Sequence, residues 1–332
     1  QIDEIPVPLQ RFTVVTGVSG SGKSTFCREV LFANLSRRLK DAQAPLVGTD
    51  QLTGFENVGR VLEVDQTPIG KNSRSCPATY VGIMTAIRDL YAATNEAQAR
   101  GYDASRFSFN KAVGACPVCA GQGLRTVEMN FLPDVKVLCE ACAGKRFNPE
   151  TLEVLWRGKS IGDVLEMEID EAVDFFASMP SIAYPLKLMQ DVGLGYLTLG
   201  QPSPTLSGGE AQRLKLVTEL AKVRTDGSFA ARAPHTLYVL DEPTVGLHMT
   251  DVDRLSKVLS RLVDAGSTVV VIEHNLDIAA DADWIIDLGP EGGAKGGKVV
   301  AQGSPKMIAR KNTATGIVLK AFLAEHKPVK SA

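Results

Sequence analysis

The chain has 332 residues, enough for two ordinary domains or one large domain carrying an insertion. Hydrophobic residues make up 44% and charged residues 22%, proportions of a globular protein that buries a substantial core, not of a disordered or fibrous one. A formal net charge of -2 excludes bulk electrostatics as a guide to partners, so any nucleic-acid surface has to be a local basic patch.

Residue 1 is Gln, not Met, as expected of a trimmed sequence or a piece of a longer chain. Residues 13–16 are apolar or β-branched and predict a strand that runs straight into a Gly/Ser-rich turn. Beyond the turn, Phe26, Val30, Leu31, Leu35 and Leu39 recur at helical spacing. The turn, Gly17-Val-Ser-Gly20-Ser-Gly22-Lys23-Ser24, fits the eight-position phosphate-loop pattern in the strand-to-helix context that the pattern requires. Its glycines let backbone N–H groups converge on phosphate oxygens at the positive end of a new helix. Lys23 is expected to reach the β- and γ-phosphates of ATP; Ser24, followed by Thr25, is expected to ligate Mg2+. A second strand is predicted at 61–64, with Gln66 just after it.

From about residue 76 to 179 the strand–helix alternation breaks, which reads as an insertion between two halves of one domain. Cys116-Pro-Val-Cys119 and Cys139-Glu-Ala-Cys142 are two C-x-x-C units separated by 19 residues, each followed by glycine. This is the zinc-ribbon arrangement, in which two knuckles present four thiolates and close a hairpin between them. With sulfur at every position, the expected Zn2+ is structural; disulfides and an iron–sulfur cluster are the alternatives. Such thiol pairs suit a reducing compartment. No basic segment leads into an apolar one as in an export signal, and no run reaches the roughly 18 apolar residues of a membrane span. A cytoplasmic location without membrane contact is therefore expected. Cys27 and Cys76 receive no role.

Around the knuckles, Arg100, Arg106, Lys111 and Arg125 stand against Asp103, a local charge of +3 over 100–125, with Tyr102, Phe107 and Phe109 interleaved. Two readings are equally open: contact with a phosphate backbone, or a solvated face over a small aromatic core. Short helices are expected at 163–165 and 171–176.

Leu206-Ser207-Gly208-Gly209-Glu210 precedes a helix expected to begin at Glu210, with Leu214, Val217, Leu220 and Ala221 on one face. It reads either as another anion-accepting helix start or as a plain N-cap with flexible glycines. Residues 224–234 read as a polar surface loop. An apolar strand at 237–240 then ends in Asp241-Glu242. It carries Asp241 to the carboxyl edge of a sheet, where Mg2+ would be held, and leaves Glu242 on the other side of the pleat to polarise water. A helix bearing Val252, Leu255, Leu259, Leu262 and Val263, the strand Thr268–Ile272 with His274 after it, and a strand at 284–288 follow. A Gly-rich hairpin around 292–297 leads into 298–301, and the last dozen residues are expected to fray. Strands alternating with helices predict an α/β domain with a mostly parallel sheet covered on both faces.

The phosphate loop, the 206–210 motif, Asp241-Glu242 and His274 together resemble the ATP-binding-cassette (ABC) family. That resemblance implies an ABC-type P-loop NTPase fold, with core parts 1–75 and 218–332. Between them it implies a signature domain, 76–217, with a zinc module at about 107–150. It further implies that Gln66 senses Mg2+ and that His274 contacts the γ-phosphate. Ser207, Gly208 and Gly209 would face ATP held by the P-loop of a second ABC module or a homodimer partner.

A cassette with a four-cysteine module between P-loop and signature resembles the UvrA family of bacterial nucleotide excision repair. The likeness is carried by Val15-Thr-Gly-Val-Ser-Gly-Ser-Gly-Lys-Ser-Thr25, Arg106-Phe-Ser-Phe-Asn110, Asn148-Pro-Glu-Thr-Leu152, Thr205-Leu-Ser-Gly-Gly-Glu-Ala-Gln-Arg213, Val271-Ile-Glu-His-Asn275 and Asp287-Leu-Gly-Pro-Glu-Gly-Gly293. The resemblance is to the family's C-terminal half. It implies an ATP hydrolase in DNA-damage recognition, with damaged DNA and UvrB as partners. Val245, where that family usually has a second Thr, and the long 224–234 loop leave open a UvrA-like paralogue of the kind linked to resistance against DNA-binding drugs. A transporter's ATPase subunit would account for the nucleotide motifs but not for the zinc module.

Overall fold

The computed structural model describes residues 4–127, 135–222, 235–293 and 296–326. The loop expected at 224–234, part of the glycine hairpin (294–295) and residues 327–332 of the tail lie outside the described residues.

Along the chain come β1 (Phe12–Gly17), a π-helical stretch Thr25–Phe32 that continues as α1 (Ala33–Arg38), and β2 (Arg60–Val64). Then follow α2 (Pro77–Tyr80), α3 (Ile83–Ala92), α4 (Asn95–Ala99), β3 (Leu124–Val127), β4 (Val135–Leu138) and α5 (Pro149–Leu152). Next are β5 (Leu155–Trp156), β6 (Lys159–Ser160), α6 (Ile161–Glu166), α7 (Ile169–Phe175), α8 (Pro180–Asp191) and α9 (Gly208–Leu220). The last stretch holds β7 (Thr236–Asp241), α10 (Met249–Asp264), β8 (Thr268–Ile272), α11 (Leu276–Asp281), β9 (Trp284–Gly289), β10 (Lys298–Gly303), α12 (Pro305–Ile308) and α13 (Ala314–Glu325). The chain divides into two compact units, Gln1–Gln66 with Lys222–Ala332, and Thr67–Ala221.

The first unit is built on a six-stranded sheet in the order β10-β9-β1-β8-β7-β2. Every pairing is parallel except that of β10 with β9. The reason lies in the strand sequences. β8 reads Thr-Val-Val-Val-Ile and is buried at every position, as are the first five residues of β1 and of β7. Runs without a polar alternation need cover on both faces, and a parallel sheet under crossover helices supplies it. α10 provides part of that cover through Val252, Leu255, Val258, Leu259 and Leu262 at helical spacing, all buried. The core joins Val15, Phe26, Leu31 and Leu35 to Val239, Val270, Ile272 and Ile286. Since β1, β7, β8 and β9 run the same way, their carboxyl ends, and the loops after them, lie along one edge.

The second unit is mostly helical, with two small antiparallel hairpins, β3–β4 and β5–β6. Tyr91, Phe107, Phe109, Phe147, Phe176, Ile87, Ile161, Ile182 and Leu186 are fully buried in it. Among the described residues, no helix is long and apolar enough to cross a membrane.

Two expectations are corrected at their ends. α9 begins at Gly208 rather than Glu210, because Ser207 is its N-cap and the glycines form its first turn. Residues 321–325 of the tail are helical rather than frayed: they continue α13, which is anchored by fully buried Leu319.

Leu240 is fully buried near the end of β7. Leu240→Ala is expected to cost about 3 kcal/mol through lost transfer energy plus the residual cavity. A urea titration of both proteins measures it, and a change under about 1 kcal/mol would mean that this position collapses around the smaller side chain.

Candidate nucleotide site and metal centre

β1 ends at Gly17, whose φ is +136°, and a Cβ placed there would lie 2.0 Å from the Leu288 carbonyl oxygen of β9. Only glycine lets the chain turn out of the sheet at this contact. The turn folds back on Lys23, whose Nζ donates to the carbonyls of Gly17 and Val18, both at 3.0 Å. Burial lowers the Lys23 pKa from its ordinary value, against the pull of Glu242, Asp241 and Asp287. Gly20 and Gly22 also have positive φ, +76° and +93°. A second glycine segment packs on the turn from outside: Gly293 N–H donates to Gly20 O at 3.1 Å and Gly297 N–H to Ser21 O at 2.9 Å. Ser24 and Thr25 are exposed at the start of the helical stretch that follows.

Two strands away, β7 delivers Asp241 to the same sheet edge. Its half-buried carboxyl has a raised pKa through burial, opposed by Arg28, whose Nη1 lies 3.4 Å from Asp241 Oδ2. Arg28 Nε also donates to Glu63 Oε1 on β2. The serine hydroxyl and the carboxylate are hard oxygen donors suited to Mg2+, which takes one or two carboxylates and completes its shell with water and phosphate oxygens. Glu242 lies beyond the strand. Its φ is +45°, so the chain leaves the pleat there and the alternation argument for its direction does not apply. Its amide donates to Ile272 O at 2.9 Å, and its exposed carboxylate lies 3.8 Å from His274 Nε2. The structure thus brings Glu242 and His274 together. Gln66 is exposed just past β2.

Sequence reasoning gave no role to Glu273, yet it ties two of these loops together. The carboxylate is buried and accepts four hydrogen bonds: from Thr244 N–H at 2.9 Å, Thr244 Oγ1 at 2.5 Å, His274 N–H at 2.8 Å and Asn275 N–H at 3.1 Å. The one available signal was an acidic residue directly after an all-apolar strand, which suggests solvent as readily as burial.

In the second unit, Ser207 and Glu210 form a reciprocal capping box. Ser207 Oγ accepts from Glu210 N–H at 3.3 Å, and Glu210 Oε2 accepts from Ser207 N–H at 2.7 Å. The exposed Tyr196 hydroxyl donates to Glu210 Oε1 at 2.6 Å and fixes that side chain further. The N-cap reading of Ser207 therefore holds. It leaves the first-turn amides of Gly208 and Gly209 as the donors that an anion would meet.

The four cysteines of the two knuckles converge, with all sulfur atoms within 4.8 Å of one another and all four residues buried. Cys116 Sγ–Cys139 Sγ is 4.0 Å and Cys119 Sγ–Cys142 Sγ is 3.7 Å. A disulfide requires about 2.05 Å, whereas a tetrahedron with Zn–S bonds of about 2.3 Å has edges of about 3.8 Å. The sulfur positions fit a tetrahedral metal, not disulfides. Ala120, Gly121, Ala143 and Gly144 all have positive φ, the tight knuckle turns that aim the thiols inward. β3 and β4 form the hairpin expected between the knuckles.

Arg146, also outside the sequence reading, is buried beside this cluster. It donates to Ser73 O at 2.8 Å and Gly200 O at 2.6 Å and lies over the Phe109 ring at 5.1 Å. A metal held by four thiolates carries net negative charge, and a buried guanidinium beside it offsets that charge. The 100–125 patch resolves largely toward the small aromatic core. Phe107 and Phe109 are buried and pack on Tyr91 and Phe147. Arg106 is bound to Thr151 and Asn148 and lies 4.4 Å from the Tyr102 ring centroid, while Arg100 pairs with Glu96 and Glu153. Lys111 and Arg125 remain exposed. Arg146→Met is expected to weaken metal retention about tenfold, as loss of an outer-shell partner typically does. Competition with a chromogenic chelator measures this, and unchanged retention would remove Arg146 from the support of the cluster.

No family model matches the chain. It is 57% identical over 318 residues to UvrABC system protein A of Thermus thermophilus, an overlap covering 96% of this chain and 32% of that protein. The protein of the same name from Aquifex aeolicus is 53% identical over 320 residues, 96% of this chain and 34% of the relative. The crystal structure of UvrA2 from Deinococcus radiodurans superposes with a TM-score of 0.83 at 48% identity, covering 95% of this chain and 37% of that one. The chain spans about a third of the length of the curated relatives it matches. It has the ABC ATPase fold, and over nearly its whole length it is homologous to about a third of UvrABC system protein A.

Proposed function

We propose that the chain is the ATP-binding and hydrolysing module of a UvrA-type DNA-damage recognition protein acting in nucleotide excision repair. One observation carries this reading. A buried lysine in a glycine turn, Lys23, lies on the same sheet edge as Asp241 and the Glu242–His274 pair, in a chain 57% identical to a UvrABC system protein A. Relatives at 51–57% identity favour repair over the transporter reading.

In this reading Gly17, Gly20 and Gly22 shape the loop that receives the phosphates, and Lys23 exchanges its two carbonyl partners for phosphate oxygens. Ser24, Asp241 and Gln66 would hold Mg2+, with Thr25 beside them; the ion supplies charge neutralisation on the phosphates. Glu242 accepts the proton of the attacking water, and His274, 3.8 Å away, keeps that carboxylate in place and meets the γ-phosphate. The amides of Gly208 and Gly209, behind Ser207, complete a site whose P-loop belongs to a second cassette, in the same full-length chain or in a homodimer partner. Cys116, Cys119, Cys139 and Cys142 would hold a structural Zn2+. Lys111 and Arg125 are exposed cations of the 100–125 stretch to test against DNA, with UvrB as a further partner of the full-length protein. A cytoplasmic setting agrees with four thiols kept for a metal.

Calorimetry of ATP with and without Mg2+ tests the central claim: magnesium-dependent binding is expected, and a folded chain that ignores adenine nucleotides overturns it. Glu242→Gln is expected to keep ATP bound while lowering turnover at least a hundredfold in an assembly with both cassettes. Steady-state hydrolysis equal to that of the parent would remove Glu242 from the chemistry.

A further inference from the structure

We propose that Arg28 is a built-in competitor for the Mg2+ seat at Asp241, and that Glu63 sets how strongly it competes. The inference rests on the assignment of Asp241 to Mg2+ made above. Arg28 stands about one helical turn beyond Ser24, on the π-helical stretch that follows the phosphate loop. Its guanidinium spans two strands: Nε donates to Glu63 Oε1 on β2, and Nη1 lies 3.4 Å from Asp241 Oδ2 on β7.

The sheet register explains why a cation belongs there. β2 and β7 are parallel neighbours with Glu63 opposite Val239, so Asp241, two residues further on, is the diagonal neighbour of Glu63 on the same face. Two carboxylates at that separation repel, and Asp65 adds a third negative charge toward Arg28. Arg28 neutralises them through a fork that reaches both. The shorter contact is to Glu63, while the contact to Asp241 is at the long end of an ion pair. The guanidinium side chain is 39% exposed, and a partly solvated pair of this kind is weak enough to be displaced.

The exchange follows from charge and geometry. A divalent ion arriving with a triphosphate outbids a single, half-solvated guanidinium for Asp241. Arg28 then swings away but stays hung on Glu63, which stops it from drifting into the phosphate loop. Glu63 thus acts as a holding partner: the more of the guanidinium it retains, the less Arg28 contests Asp241. Neither residue needs to touch substrate; both act as positioning residues through Asp241. The arrangement sets the free Mg2+ level at which nucleotide begins to bind.

The test uses the whole chain and calorimetry of a non-hydrolysable ATP analogue over a series of Mg2+ concentrations. The readout is the Mg2+ concentration giving half-maximal nucleotide binding, with Mn2+ titrated alone by electron paramagnetic resonance as a second measure. Arg28→Gln is expected to lower the half-maximal Mg2+ about tenfold and to tighten Mn2+ binding. Glu63→Gln is expected to raise it several-fold, because the whole guanidinium then turns to Asp241. Shifts of opposite sign support the inference, since simple loss of structure would weaken binding in both variants. Shifts in the same direction, or no shift, overturn it. Arg28→Lys, which keeps the charge but loses the two-carboxylate fork, gives an independent reading if a neutral variant does not fold, and a half-maximal Mg2+ identical to that of the parent overturns the fork argument. If the parent chain binds no nucleotide at any Mg2+ concentration, the functional reading above falls and this inference with it. If the parent binds and the variants do not differ from it, only the role of Arg28 is lost.

Discussion

The close approach of β1 to β9 at Gly17 is the constraint on which the nucleotide-facing edge depends. A side chain at Gly17 would collide with the Leu288 carbonyl at 2.0 Å, so the phosphate loop leaves the sheet at this one spot and with one backbone geometry. The outer glycine segment then seals the loop from the other side through Gly293 and Gly297, each donating to the turn. A loop clamped from two sides is pre-shaped, and binding need not meet the entropy cost of ordering it.

Beyond that contact, the edge is organised by buried or half-buried carboxylates that hold neighbouring loops to one another. Glu273 gathers four donors from the loops after β7 and β8 and so ties Thr244, His274 and Asn275 to one carboxylate. Asp287, buried on β9, accepts from Thr16 Oγ1 at 3.1 Å and Thr315 Oγ1 at 2.7 Å, linking the start of the phosphate turn to α13. Arg28 adds a charged bridge between β2 and β7 side chains at this edge, to Glu63 and Asp241. A buried carboxylate whose two oxygens both accept from neutral donors, as in Glu273, favours one fixed arrangement over many, because an unmade bond there leaves a desolvated charge.

The thiol cluster in the second unit follows a different logic. Four sulfur atoms converge, at 3.7–4.0 Å across the knuckle pairs, on the spacing of a tetrahedral metal site. Positive φ at Ala120 and Ala143 marks backbone strain spent on that aim. Around it, Arg146 joins the cluster to Ser73 and Gly200, so the knuckles are braced against distant segments of the same unit and do not stand alone.

Local sequence determined the strands, the phosphate loop, the capped helix start at Ser207 and the two cysteine knuckles, because each depends on short-range chemistry. Glycines permit positive φ, β-branched runs extend, and C-x-x-C pairs turn back on themselves. The alternation of strands with helices likewise pointed to a mostly parallel sheet covered on both faces. What tertiary structure alone decided were contacts between segments far apart in the chain: the strand order that sets Asp241 beside β2, the bridge through Arg28, the burial of Glu273 and Arg146, and the withdrawal of Phe107 and Phe109 into the core. Even Glu242, whose type was legible, took its direction from a positive-φ turn that the pleat could not foretell. A charged side chain carries no local mark of whether it will be solvated or enclosed. That outcome depends on which neighbours the fold brings to it.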